Sequence, residues 1–557
     1  MKRESSGTSS RKRVQMPHLV LTWALLAAST FALAEKDPAA RLLDEQRQQL
    51  RDESLGQPSM SRVPIAGRPS LDANPADVAE SGPTIPKPRI NIDEFGLISR
   101  ETLDSTIGPF RVLPLGENRL ELLLRQLDAR LVEAGYVTSH ALLESASIDT
   151  GEVRIRVLPG RLDDIRIGGD TAAAGIVRAF PMALGEVLQL ADVEQGIHQI
   201  NRLRLYQAQV TLRPGDSPGG SYLDLALGTG KPWRASLGAD NQGSVATGQN
   251  RVRAGFGFDD AFGMLDSLQI QALASSNSRA GLASFAVPQG YAIWSLTASG
   301  SRSTQRLPAG LELRSDAWTG LAGWNRVLTL AAEGRDSIDL SIARSRYARS
   351  IDGTALDADR LTVLRAAISH VRNSATAHWY VEPALSAGVP WLGAQRDPAD
   401  LERASAHAQF VKLALNAGAV ATFAQGDLET AIQAGGQFAR VGLHGSEQLS
   451  LGGLSSVRGF REGVLTGDRG FLWRGEVRLP RVLANLPVAG QAVPYLHLDY
   501  GAAWLAQADG DYVAGAGVGA RWSGRGAVFE AVASHPVAGP AALREGLRVH
   551  FSLAIEI

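Results

Sequence analysis

Residues 446–479 read SEQLSLGGLSSVRGFREGVLTGDRGFLWRGEVRL. Toward the end of this stretch Phe471, Trp473, Val477 and Leu479 alternate with Leu472, Arg474, Glu476 and Arg478. A period of two with one apolar and one mainly charged face predicts a strand that meets two different environments. Such a strand suits a closed barrel with lipid outside and water inside, because each backbone polar group is then bonded to a neighbouring strand. The alternation recurs from Trp233 onward. Trp233, Ala235 and Leu237 oppose Arg234, Ser236 and Gly238; Val252, Ala254, Phe256 and Phe258 oppose Arg251, Arg253, Gly255 and Gly257. Ile338, Leu340 and Ile342 oppose Asp339, Ser341 and Ala343. At the end of the chain Leu547, Val549, Phe551, Leu553, Ile555 and Ile557 share a face against Arg548, His550, Ser552, Ala554 and Glu556. A soluble sandwich also alternates, but a secreted chain has few other uses for charged residues on one face of strand after strand. At roughly 20 residues per strand and turn, residues 231–557 predict a transmembrane antiparallel β-barrel of about sixteen strands.

Before the barrel the period lengthens. Leu120, Leu123, Leu124, Leu127 and Leu131 keep helical spacing, Gly135 stops that helix, and Val153, Ile155 and Val157 alternate as a strand. The arrangement then repeats: Ile165 and Ile167 mark a strand, Val193, Ile197, Ile200 and Leu203 a helix, and Val210, Leu212, Leu223, Leu225 and Leu227 two more strands. Leu158-Pro159-Gly160 punctuates the midpoint, so two α/β units at 87–158 and 159–230 are preferred to one mixed domain. Residues 56–86, rich in Pro, Ser, Gly and Asp, read as a linker. Within 35–55 lies a mostly polar helix with Leu42, Leu43, Gln46 and Leu50 on one face. It reads equally as a solvated helix on a linker and as a plug in a polar pore. Lys2, Arg3 and Arg11–Arg13 precede an apolar run from Leu19 to Ala28 and the small-x-small site Ala32-Leu33-Ala34, which makes 1–34 a removable secretory signal. The apolar core is shorter than the roughly 20 residues a spanning helix needs.

Composition narrows the function. A net charge of −1 and the lack of a basic stripe leave no electrostatic case for nucleic acid. The chain has no cysteine, which excludes disulfides, thiol catalysis and Cys-ligated zinc. Its ten histidines lack ligand spacing, and no P-loop, His-Glu-x-x-His or Gly-x-Ser-x-Gly is present. No catalytic, cofactor-binding or metal-ligating residue is therefore predicted, and the chain is not expected to be an enzyme. Gly515-Ala-Gly517-Val-Gly519 lacks the full glycine spacing of a nucleotide loop and lies among strands. Asp163-Asp164 reads as a turn or domain-edge pair, since adjacent strand residues point opposite ways.

The candidate site lies in the barrel region. Tyr495, His497, Asp499 and Gly501 share a face opposite Leu496, Leu498 and Tyr500, so Asp499 points inward if the apolar face meets lipid. Arg458, in the Gly-flanked tetrad Val457-Arg458-Gly459-Phe460, is an obvious partner because a guanidinium engages a carboxylate through two parallel hydrogen bonds. Gly501 would leave room for the loop to approach. On the residues alone, each charge could equally be solvated in a wet lumen.

These motifs, together with Ser446-Glu447-Gln448-Leu449-Ser450-Leu451-Gly452-Gly453, Asp499-x-Gly501, Gly135-Tyr136-Val137-Thr138-Ser139 and Gly151-Glu152-Val153-Arg154-Ile155, resemble the TpsB family of two-partner secretion. Its members export filamentous haemagglutinins, haemolysins and contact-dependent inhibition toxins. The resemblance covers nearly the whole mature chain and implies an N-terminal plug helix, a linker, two POTRA domains in the periplasm and a sixteen-stranded barrel in the outer membrane. It further implies passive export, without nucleotide hydrolysis or cofactor, of an unfolded TpsA-like β-helical exoprotein captured through its N-terminal secretion domain. The other partners it implies are outer-membrane lipid and the barrel assembly machinery that inserts the chain. The lumenal loop motif would be Val457, Arg458, Gly459 and Phe460, with Asp499 and Gly501 as its seat on the wall. Two features depart from the pattern: the chain ends in Ile557 rather than Phe, and the early helix is less Gln-rich than is usual. The alternative is an outer-membrane assembly or insertion factor of the same superfamily, which would share loop and barrel but usually carries more POTRA units.

Overall fold

The computed structural model describes residues 37, 38, 40, 42–48 and 73–557, except 94–95, 245–246, 308–309, 332 and 484–489. The expected signal at 1–34 and residues 56–72 of the expected linker lie outside the described residues.

The first soluble unit contains β1 (Arg89–Asp93), α1 (Arg100–Arg111), α2 (Glu117–Glu133), β2 (His140–Ala146) and β3 (Glu152–Leu158). Its sheet runs β1-β3-β2, with β1 parallel and β2 antiparallel to the central strand. The leucine spacing that predicts α2 packs Leu123 and Leu127, together with Leu122, into one core with Ile107, Phe110, Val153 and Ile155, against which Leu120 and Leu124 are partly buried; Leu131 is buried too. The expected linker ends before residue 86, because its last part belongs to this unit. Pro75 and Ile85 are buried, and Glu80 accepts from the backbone N–H groups of Gly116, Asn118 and Arg119 at 2.9–3.2 Å. Gly116 has no side chain with which to cap α2, so a carboxylate from the preceding segment satisfies the orphan donors and matches the helix dipole.

The second unit holds β4 (Arg161–Ile167), β5 (Asp170–Thr171), α3 (Ala174–Val177), α4 (Leu190–Asn201), β6 (Tyr206–Pro214) and β7 (Gly220–Thr229), with sheet order β5-β4-β7-β6. Its first helix is only one turn long, and Pro181 and Gly185 interrupt the segment before α4. Asp163 and Asp164 serve local structure. Asp163 accepts from the Ser217 N–H at 3.2 Å, and Asp164 from the Thr171 hydroxyl at 3.0 Å.

Among the described residues, sixteen strands close the barrel. The first seven are β8 (Trp233–Asp240), β9 (Arg251–Asp259), β10 (Ser267–Ser275), β11 (Ser278–Gln289), β12 (Ala292–Arg306), β13 (Glu312–Ala331) and β14 (Gly334–Ile351). The two-residue β15 (Thr354–Ala355) folds back on the tip of β14 and is followed by β16 (Asp359–Asn373) and β17 (Ala377–Gly388). A short β18 (Ala406–His407) precedes β19 (Val411–Phe423) and β20 (Leu428–Ala439). Between β20 and the next wall strand lie β21 (Gly442–Leu443), β22 (Leu449–Leu451) and β23 (Leu465–Gly467). The wall ends with β24 (Arg469–Arg478), β25 (Gln491–Trp504), β26 (Asp511–Gly524), β27 (Ala527–Ala538) and β28 (Arg548–Glu556), and β28 pairs with β8 to close the cylinder. The alternation places Val549, Phe551, Leu553 and Ile555 on the exposed outer face.

The second soluble unit docks on the turns at one end of the barrel. Gln195 and Gln199 both donate from Nε2 to the Gly290 carbonyl, at 3.0 and 2.9 Å. The Gly290 N–H donates in return to the Arg178 carbonyl at 3.1 Å. Tyr291 donates to Asp192 and Tyr206 to Asp260, both at 2.7 Å, and Leu265 from the β9–β10 turn is part of the unit's apolar core. His198 Nε2 lies 3.1 Å from Arg335 Nη1 at the foot of β14.

Candidate functional site

The segment between β20 and β24 turns into the lumen. Its root is held by Asp468, which accepts from the Leu443 N–H at 2.8 Å and from Gln448 Nε2 at 3.0 Å, and with its other oxygen from the Ala506 N–H at 2.8 Å. β22 and β23 pair as a short antiparallel stem. The tip carries Val457, Arg458, Gly459 and Phe460.

Val457 and Phe460 are fully buried in an apolar cluster with Leu451, Ala503 and Val513. Arg458 is 2% exposed and Asp499 0%. The Arg458 guanidinium grips Asp499 through Nε and Nη2, each at 2.7 Å, and the Arg458 backbone N–H adds a third bond at 3.0 Å. The remaining terminal nitrogen, Nη1, donates to Glu476 at 2.6 Å. Glu476 also accepts two bonds from Arg521, at 2.9 and 3.0 Å, and one from Arg478 at 2.9 Å. Arg521 continues to Glu530 at 2.8 Å, and Tyr495 donates to the same oxygen at 2.7 Å. His497 Nδ1 is 3.3 Å from Asp499 but not aligned for a hydrogen bond, while its Nε2 sits 2.8 Å from the Ser534 hydroxyl. The pair is therefore dry and embedded in a network of charge-assisted bonds, in which each ion depends on its neighbours for solvation.

The wall makes room for the tip. A Cβ at Gly515 would stand 1.8 Å from the Arg458 carbonyl oxygen, a clash no relaxation of a side chain removes. A Cβ at Gly501 would press on Leu451 and Val457 at 3.0–3.1 Å. Gly459 turns the chain at φ +96°, in the left-handed region that glycine occupies without strain. In the glycine row that superficially resembles a nucleotide loop, Gly515 is thus the floor on which the lumenal loop rests, while Gly517 and Gly519 make room for the wall side chains His497 and Tyr495. Gly501 alone among these wall glycines stands out in the sequence as a seat. Glu476, Asp468, Arg521 and Gly515 carry no such signal, because they come together only through cross-strand neighbours.

The N-terminal segment reaches the same lumen. Residues 42–48 are helical, and Leu42, 3% exposed, packs on Leu273, Ala280 and Leu282 of the inward face of β10 and β11. Glu45 pairs with Arg253 at 3.1 Å and lies 3.7 Å from Arg251. Leu50 lies outside the described residues.

With this geometry in place, comparison with known proteins is decisive. The model for the haemolysin secretion/activation protein family ShlB/FhaC/HecB matches residues 219–522, and POTRA models match 86–160, the ShlB type, and 161–214. The chain belongs to this family. It is an outer-membrane transporter of the two-partner secretion class, with POTRA domains on the periplasmic side. The outer membrane transporter CdiB of Dickeya dadantii is 28% identical, over 87% of this chain and 88% of that one. The haemolysin transporter ShlB of Serratia marcescens is 28% identical, over 72% and 73% of the two chains. The solved structure of CdiB from Escherichia coli superposes with a TM-score of 0.82 at 26% identity, covering 94% of this chain and 99% of that one.

Proposed function

We propose that the POTRA units capture an unfolded, β-helical exoprotein by its N-terminal secretion domain and that the barrel passes it outward without nucleotide hydrolysis. Strand β2 supports this reading. It is an edge of its sheet, and it presents Leu142 and Leu143, each 41% exposed, beside the exposed Ile148. An extended segment adding to that edge would satisfy the free backbone groups while its alternate side chains cover the leucines. The observation that carries the reading is the buried Arg458–Asp499 pair inside the barrel. A loop held this firmly across a lumen is a closed state that cargo must displace, and the helix at 42–48 is a second obstruction. Export then needs both to move aside, with folding of the cargo outside supplying direction.

The test compares the culture medium of cells with and without this chain by proteomics. Disappearance of one long β-helical protein, whose N-terminal domain is retained by immobilised residues 73–230, supports the reading. An unchanged medium together with depleted outer-membrane barrels sinks it.

A further inference from the structure

Charge is unevenly placed around the lumen. Register, together with the outward exposure of Ile270, Trp294, Leu296 and Trp318, sets the inward row of one stretch of wall. It is the odd positions of β10, the even positions of β11, and the odd positions of β12 and of β13 as far as Val327. Along those four strands the row holds Ser, Thr, Gln, Asn, Gly, Pro and apolar residues, without one Asp, Glu, Lys, Arg or His. The flanking strands are charged: Arg251 and Arg253 face in from β9 and Asp339 from β14. Diametrically across the sixteen strands from β11, β12 and β13 stand β24, β25 and β26, which carry Glu476, Asp499 and Arg521 under the latched loop.

The second POTRA unit holds the turns at the foot of this neutral lane. Arg202 donates to the Leu265 carbonyl at 2.8 Å and to the Ser267 hydroxyl at 3.2 Å, and Gln195 and Gln199 hold Gly290. Farther out the lane already carries a peptide, the chain's own N-terminal segment. Leu42 packs on Leu273, Ala280 and Leu282, and Asp37 accepts from the Ser301 hydroxyl at 2.6 Å. Beside that contact the Ser299 hydroxyl is buried and has no hydrogen-bond partner among the described residues. An unfolded chain in transit presents side chains of both signs. A fixed charge on a confined wall pairs with the opposite ones and holds them. Hydroxyls and amides offer exchangeable hydrogen bonds, each weak after exchange with water, and a conduit must bind weakly at many places for its passenger to leave.

We infer that the exported polypeptide crosses the barrel in extended form along the neutral wall of β10–β13, taking the place of the N-terminal segment. This rests on the export reading and names the track within it. The foot of the track is where the docked POTRA unit ends, and its far side faces the wall that seats the loop.

Because the chain has no cysteine, one introduced thiol reports one position. The full chain in neutral detergent carries Ser284→Cys or Ser295→Cys in the lane, or Asn416→Cys on β19 or Val493→Cys on β25, which face the lumen elsewhere. It is mixed with an unstructured Gly/Ser/Asn peptide of about 30 residues, long enough when extended to cross a membrane. The peptide bears a thiopyridyl disulfide at its centre, so thiol–disulfide exchange joins it to the chain and releases pyridinethione, and intact mass gives the rate. Dividing by the rate of a small methanethiosulfonate reagent at the same position removes differences in exposure and reactivity. Normalised rates are expected to be roughly tenfold higher at Ser284→Cys and Ser295→Cys than at the other two, and similar for peptides with Lys or Glu at every fourth residue. Deletion of 35–55 should raise Ala280→Cys, which Leu42 covers, to the rate of the other lane positions. Equal normalised rates on both walls, a strong preference for one peptide charge, or no gain at Ala280→Cys overturns the assignment. The two readings fail separately: a lost exoprotein beside equal rates keeps export and strikes the lane, whereas an unchanged culture medium beside lane-selective adducts counts against export and leaves the lane a peptide track.

Discussion

Arg458 satisfies Asp499 with two side-chain nitrogens and one backbone nitrogen, and Glu476 with a third side-chain nitrogen. No other side chain presents a planar fork with that reach. Replacing Arg458 by Ala strips buried Asp499 of the guanidinium that pairs with it and leaves Glu476 held by Arg521 and Arg478 alone, and breaking such a buried pair costs about 3–5 kcal/mol. The expected result is a barrel that still inserts but whose loop leaves its seat, read as new protease cleavage within 452–464 and loss of export. Lysine should not rescue, because one ammonium cannot occupy both carboxylates; full export by Arg458→Lys would refute the latch. Gly515→Ala tests the same seat from the wall. Overpacking against the Arg458 carbonyl should cost about 1–3 kcal/mol and loosen the loop without touching any charge. An unshifted melting temperature in that variant would mean the loop does not rest there.

At the scale of elements, the early helix illustrates how environment decides what an amphipathic pattern is worth. Its apolar stripe is too thin for an ordinary core. A barrel lumen is itself polar, so Leu42 finds a small apolar patch while Glu45 faces Arg251 and Arg253. If the helix closes the resting pore, Glu45→Lys should weaken its seat and deletion of 35–55 should remove it. Single-channel recordings in planar bilayers are then expected to show higher resting conductance, larger for the deletion than for the charge reversal. Conductance equal to the unaltered chain in both variants would remove the helix from the gating account.

For the molecule as a whole, the second POTRA unit docks on the barrel turns, and on the proposed function this docking sets where captured cargo would be delivered. His198 lies in that contact. Burial, reinforced by the charges of Arg335 and Arg202, pushes its imidazole down to about 4 from the ordinary 6.5. The docked state thus holds the neutral ring, and a released POTRA unit takes up a proton more readily. Docking is therefore strongest above pH 6.5 and weakens as pH falls from 6.5 toward 4. Hydrogen exchange in α4 should accelerate as pH falls through this window, after correction for intrinsic rates, and His198→Gln should abolish the extra acceleration. A pH-independent contact would show that the ring is not the titrating group.

Periodicity made most of the architecture legible. The switch from helical spacing in Leu120–Leu131 to alternation after Trp233 is a local property of the chain, because each strand's two faces must separately match lipid and lumen. The tetrad around Arg458 and the inward phase of Asp499 were readable for the same reason. Whether the two groups meet in water or in a dry seat was not, since burial depends on β26 and β27 closing over the loop from residues far along the chain. Glu80 capping α2 and the glycine floor at 515 are likewise products of tertiary neighbours. Sequence alone determined which residues face in and which face out, through a period of two. Tertiary structure decided which inward residues touch, because barrel register pairs positions that no spacing along the chain connects.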